Sequence, residues 1–242
     1  MIIIPAIDLK DGKCVRLIQG DFGQSTIYSD NPLAVARKWQ QKGAERIHVV
    51  DLDGSRTGSP KHMKIIGEII EKTDVEVQVG GGIRDRKTVE EYLRIGVSNV
   101  ILGTIALRKR DFVLDLCNDF RGKIILGIDA RDNKVAIEGW LEKTVESPAD
   151  IAKYYEGRGL DAIVFTDISR DGMEMGINVE STKELAESVD IPIIASGGVA
   201  GMKDIDMLLA VESSGIKGVI VGKALYSGAI MLEEAIKRAS GK

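Results

Sequence analysis

The chain has 242 residues, enough for one substantial core and close to the ~250 of a (β/α)8 barrel, but too few for two comfortable domains. Its 33 Lys and Arg against 37 Asp and Glu leave a net charge of −4; with no basic tail, nucleic acid and anionic membranes are excluded as partners, and a small molecule is expected. Cys14 and Cys117 make neither a disulfide framework nor a metal knuckle, so a reducing cytoplasm is the expected compartment.

The opening run Ile2–Ile7 stops at Asp8. It is too short for a membrane span and lacks the basic start of a signal peptide, so it reads as a buried first strand. Further apolar runs follow at 46–50, 75–79, 98–102, 123–128, 161–166, 191–195 and 217–221, giving eight candidate strands. They are continuously apolar rather than alternating, as parallel strands covered on both faces should be. Helix punctuation lies between them: Asn31 and Pro32 open one helix that Gly43 closes, Ser147 and Pro148 open another, and Val89, Tyr92 and Leu93 share a face within 86–95. A strict βα alternation of this length fits a closed barrel or a doubly wound open sheet, and periodicity does not choose between them.

An internal repeat does choose. Ile7–Val15, IDLKDGKCV, lines up half a chain later with Ile128–Ala136, IDARDNKVA. Gly81 and Gly82 before Ile83 match Gly197 and Gly198 before Val199. Val100, Ile101 and Gly103 match Val219, Ile220 and Gly222, and Asp51 matches Asp167 more weakly. Two equivalent halves, about 1–121 and 122–242, close into one α/β domain, 1–242, a (β/α)8 TIM barrel with internal two-fold symmetry.

Barrel active sites are built at the carboxyl ends of the strands. Asp8 ends the first strand and Asp129 the fifth, facing each other across an eight-strand barrel. A lone aspartate there often merely caps a turn; two at repeat-equivalent positions have the layout of a base and an acid. Gly80–Gly82 with Gly103 and Thr104, and Ser196–Gly198 with Gly222 and Lys223, form two symmetric sets in which bare backbone amides can approach an anion. They suggest two phosphate sites. No GxGxxG or GxxxxGK[ST] lies between a strand and a helix, which argues against NAD and ATP. His48 and His62 lack neighbouring ligands for a metal, and His48 reads as a core or barrel-lining histidine. Trp140 either packs a loop or, beside Asp129, stacks on a flat heterocycle.

Together, PAIDLKDGKCVRLIQGD, HVVDLDG, VQVGGGIR, GIDARDNKVAIEGW, TDISRDG, ASGGV and GVIVGKAL resemble the ProFAR isomerase family of histidine biosynthesis from Met1 to about Lys237. The resemblance implies an Amadori rearrangement of a bis-phosphorylated aminoimidazole carboxamide ribotide, ProFAR to PRFAR, with no metal and no cofactor. It implies that Asp8 is the proton acceptor and Asp129 the donor, and it places Arg84, Thr166 and Asp171 around the substrate. A cytoplasmic monomer is expected. The sequence departs from the family pattern at Met173, where Thr is common after RDG. The rivals are the related cyclase that makes imidazole glycerol phosphate, a dual-substrate isomerase acting also on phosphoribosyl anthranilate, and a non-catalytic phosphosugar-binding barrel. The cyclase pattern has PCLDV where this chain has PAIDL and Arg16, and the dual-substrate pattern has an extra arginine near Trp140.

Overall fold

The computed structural model describes residues 1–241 except 19, 138 and 141, and twelve strands of the described residues form one sheet. In chain order they are β1 (Ile2–Lys10), β2 (Lys13–Ile18), β3 (Asp21–Ser29), β4 (Arg46–Asp51), β5 (Glu76–Gly80), β6 (Asn99–Leu102), β7 (Ile124–Arg131), β8 (Lys134–Ile137), β9 (Glu142–Lys143), β10 (Ala162–Asp167), β11 (Ile193–Ser196) and β12 (Ile216–Val221). Eight of these pair in parallel in the order β1-β4-β5-β6-β7-β10-β11-β12, and β12 returns to β1. Each of the eight apolar runs is one barrel strand. The barrel is closed, and β7 lies diametrically opposite β1.

Residues of alternate parity divide between two apolar layers because strand side chains alternate with period two. Ile4, Ala6, Ile101, Ile125, Ala162, Val164, Ile194 and Ile220 fill the barrel interior. Ile3, Ile7, Leu9, Ile47 and Val49 face outward onto the helices. Ile125 is fully buried, and truncating it to Ala would cost roughly 2–5 kcal/mol, since a packed interior collapses only partly around a void. The parity also aims the site. Asp8 continues the inward series Ile4, Ala6; Asp129 follows Ile125 and Gly127; Thr166 follows Ala162 and Val164.

The helices begin where the punctuation puts them. Asn31 caps Pro32–Gln41 by accepting from the Ala34 amide, and Ser147 and Asp150 form a reciprocal cap at Pro148–Tyr155. Such caps contribute about 1 kcal/mol each by satisfying amides that have no partner in the first turn. Asp85 caps Arg86–Arg94, which buries Val89 and Tyr92. Among the described residues no helix is long and apolar enough to cross a membrane.

Two antiparallel extensions rise from the carboxyl ends of the opposed strands. β2 pairs with β1 in the register Asp8↔Val15, Leu9↔Cys14, Lys10↔Lys13; β8 pairs with β7 as Asp129↔Ala136, Ala130↔Val135, Arg131↔Lys134. The turns are Asp11-Gly12 (φ 50 and 76) and Asp132-Asn133 (φ 55 and 56). Two successive left-handed residues make the tight turn whose twist matches that of the flanking strands, and Asp, Asn and Gly tolerate it best. The repeat therefore extends to the hairpin that follows each aspartate.

Candidate active site

A cavity of about 280 Å³ opens at the carboxyl ends of the barrel strands. Asp8, His48, Asp129, Thr166 and Asp171 line it, with Gly81, Gly82, Arg84, Gly103, Thr104 and Trp140 toward its rim. It brings together eleven residues expected from the sequence, and among the others that line it is a charged one not expected, Arg16.

The two aspartates sit in different surroundings. Arg16 Nη1 lies 2.9 Å from Asp8 Oδ2, with side chains only 11 % and 14 % exposed. Loss of water raises the Asp8 pKa to about 6; the Arg16 guanidinium pulls against that rise and the Asp171 carboxylate adds to it. Asp129 is also raised by desolvation, opposed by hydrogen bonds from Trp140 and Thr166, with Asp171 again adding. The Trp140 indole Nε1–H donates to Asp129 Oδ2 at 2.8 Å. At the shift that carries Asp8 onto Asp129, Arg16 falls on Ile137, which is buried. Desolvation likewise raises Asp171, held back by Arg16 and the Gly172 amide.

His48 lies one strand from Asp8, its Cα paired with that of Ala6 on one side and Gln78 on the other. Its Nδ1 is 3.1 Å from Gln78 Nε2, and burial together with Arg16 lowers its pKa to about 3, so it is a neutral polar group in the cavity wall. Gln78 itself is fully buried.

The glycine sets take matching conformations. Gly103 and Gly222 have φ, ψ of −101, −104 and −104, −102, and Gly81, Gly82, Gly197 and Gly198 all have positive φ. A Cβ on Gly82 would stand 2.2 Å from the Gly54 carbonyl oxygen, and one on Gly222 would stand 1.9 Å from Arg16 Nη2. The first position thus requires glycine for the backbone, and the second makes the seat of Arg16. The first cradle, Gly81–Gly82 with Gly103–Thr104, opens into the main cavity. The second, Gly197–Gly198 with Gly222–Lys223, bounds a separate space of about 20 Å³ beside Arg16 and Asp171.

Trp140 spans the mouth. A Cβ on Gly20 would lie 2.6 Å from its ring, so the Gly20 backbone rests on the indole. Glu138 of the EGW motif lies outside the described residues. Among the described residues no three His, Cys, Asp or Glu side chains converge as metal ligands would.

A family model described as "Histidine biosynthesis protein" matches residues 2–231. The chain belongs to that histidine biosynthesis family. It is 59% identical over 239 residues, 99% of both chains, to a protein of Syntrophus aciditrophicus. It is 52% identical over 236 residues to one of Geobacter sulfurreducens, covering 98% of this chain and 97% of that one. With a protein of Syntrophotalea carbinolica it shares 50% identity over 242 residues and the whole of both chains. Each of the three is named a 1-(5-phosphoribosyl)-5-((5-phosphoribosylamino)methylideneamino) imidazole-4-carboxamide isomerase. For this member of the histidine biosynthesis family, sequence reasoning listed Asp8 and Asp129 but not Arg16 or Gln78 as site residues. The Asp11-Gly12 turn is the signal that could have found Arg16, because a two-residue hairpin lays residues 13–18 back alongside Asp8.

Proposed function

We propose that the mouth of this isomerase of histidine biosynthesis converts an N-glycosidic aminoaldose, an aminoimidazole carboxamide ribotide with two phosphoribosyl groups, into its aminoketose. Asp129 supplies a proton to the ribose ring oxygen as the C1–O bond breaks, and the electron pair of the exocyclic nitrogen moves in to leave an iminium. Asp8 takes the proton from C2, and the electrons of that C–H bond pass back to nitrogen as an enolamine, which tautomerises to the ketose. The substrate's own nitrogen is the electron sink, so the route calls for no metal and no organic cofactor.

The observation that carries this reading is the unequal surroundings of two opposed, repeat-related aspartates. Arg16 favours the ionised form of Asp8, the form a base needs. Asp129, buried and facing the Asp171 carboxylate, is pushed toward the protonated form an acid needs. Two carboxyl groups held apart in this way divide the donor and acceptor roles. The two glycine cradles suit a substrate with a phosphate at each end; Arg84 flanks the first, and Lys223 the second, where Arg16 also stands. Trp140, bonded to Asp129 and lying over the mouth, suits stacking on the imidazole.

The experiment is a spectroscopic assay of the purified protein with ProFAR and, separately, with phosphoribosyl anthranilate. Conversion of the first and not the second is expected. Failure to convert ProFAR would overturn the reading and favour a binding barrel; conversion of both would make it a dual-substrate isomerase.

A further inference from the structure

The second cradle already holds an anion, and the anion belongs to the chain. Glu174 Oε2 lies 3.1 Å from Lys223 Nζ, and its Oε1 accepts from the Ser227 hydroxyl at 3.1 Å. Lys223 also donates to the Gly172 carbonyl at 3.3 Å, so the segment after Asp171 is fastened over the cradle. The space left beneath it is about 20 Å³, room for about one water. The first cradle, by contrast, opens into a cavity of about 280 Å³.

The backbone gives independent support. Glu174 has φ 50, in the left-handed region. At the shift that carries Asp51 onto Asp167 and Gly81 onto Gly197, Glu174 falls on Gly58, which has φ 74. Both halves need a left-handed residue here. One uses glycine, which accepts the conformation freely; the other uses a glutamate, for which it costs roughly 1–2 kcal/mol because Cβ crowds the carbonyl. A residue kept in a strained conformation with its side chain on a site cation is a reason to look for a role.

We propose that Glu174 is a specificity-determining residue, a resident carboxylate on the cation of the second cradle that an incoming phosphate must displace. This rests on reading the cradles as phosphate sites. A carboxylate brings one negative charge, whereas a phosphate monoester near pH 7 brings about −1.5 to −2 and three acceptor oxygens. Phosphate therefore wins Lys223, while a ligand ending in a hydroxyl or a single carboxylate does not. Displacement lifts the Glu174 segment off the cradle, and its return helps expel the product.

The test titrates inorganic phosphate calorimetrically into the full chain, its Glu174→Gln and Glu174→Gly variants, and Glu180→Gln as a control for net charge, and measures KM for ProFAR in each. Both Glu174 variants are expected to bind phosphate roughly fivefold more tightly, the upper range for a partly exposed ion pair, and to lower KM by a similar factor. Glu180→Gln is expected to match the parent. A Lys223→Met variant separates the two ways of failing. If it loses phosphate affinity while both Glu174 variants stay at the parental value, Glu174 is no competitor and the phosphate reading stands. If Lys223→Met also leaves affinity unchanged, the second cradle is not a phosphate site and both readings fall.

Discussion

The two halves of the barrel carry the same hairpin after the same aspartate, but they fasten it differently. In the first half the Asp11 amide donates to Asp53 Oδ2 at 2.6 Å and the Gly12 amide to His62 Nε2 at 3.0 Å. His62 stands between two carboxylates, its Nδ1 3.3 Å from Asp51 Oδ1 and its Nε2 3.3 Å from Asp53 Oδ2. Asp51 is fully buried and also accepts from the Gly54, Lys61 and His62 amides. In the second half Asn178 stands where His62 stands, and its amide bonds Asp167 at 2.7 Å. Between it and the Asp132-Asn133 turn lies a cavity of about 340 Å³. One hairpin is pinned beside Asp8. The other, which leads to Trp140, has room below it.

The comparison breaks most visibly at the aspartates themselves. Asp8→Asn and Asp129→Asn are each expected to lower kcat by about 10³-fold, the scale of a positioned acid or base, while calorimetry finds substrate affinity nearly intact because the cradles are untouched. Unchanged turnover in either variant would remove that residue from the proton transfer.

The fastening is tested next. His62→Ala removes the acceptor of the Gly12 amide, and hydrogen exchange at Asp11 and Gly12 is expected to quicken roughly tenfold, the equivalent of a net hydrogen bond of about 1.4 kcal/mol. Asn178→Ala, its counterpart, is expected to change exchange at 132–133 far less, because a cavity lies between them. Equal effects in the two halves would erase the distinction.

The electrostatic asymmetry gives a smaller, signed effect. Asp8 must be ionised to accept a proton, so kcat/KM is expected to fall as pH drops through about 6. Arg16→Met withdraws the cation that holds this value down and should move the acid limb upward, by roughly one unit for a close charge; a limb that stays put would mean Asp8 does not set it. The least effect is on stability. A carboxyl group whose folded pKa is raised contributes most below its unfolded value, about 3.9, and loses that contribution as pH rises through the folded value. Asp129→Asn should therefore melt higher than the parent at neutral pH, by a margin that shrinks toward about pH 4.

The eight barrel strands were legible because a parallel strand buried on both faces has few polar positions to interrupt it, and the repeat chose closure over an open sheet. Asp8 and Asp129 were legible for the same reason: each is the first charge after such a run. The strands outside the barrel were not. β3, Asp21–Ser29, is polar and largely exposed, and only the Asp11-Gly12 and Asp132-Asn133 pairs marked the two turns. Gln78 hid inside an apolar run. Arg16 and Glu174 act through where a returning segment delivers them, which the spacing of residues along the chain does not record. Thr166 and Asp171 came from the family likeness, and the structure sets both in the cavity.

Arg16 also bears on direction. A mouth with two-fold pseudosymmetry offers a molecule with a phosphate at each end two ways to lie, head to tail or tail to head, so whatever differs between its halves sets the direction. Arg16 stands beside Asp8, and the equivalent position in the second half is the buried Ile137. Together with Glu174 on the second cradle, Arg16 gives the groove two unlike ends.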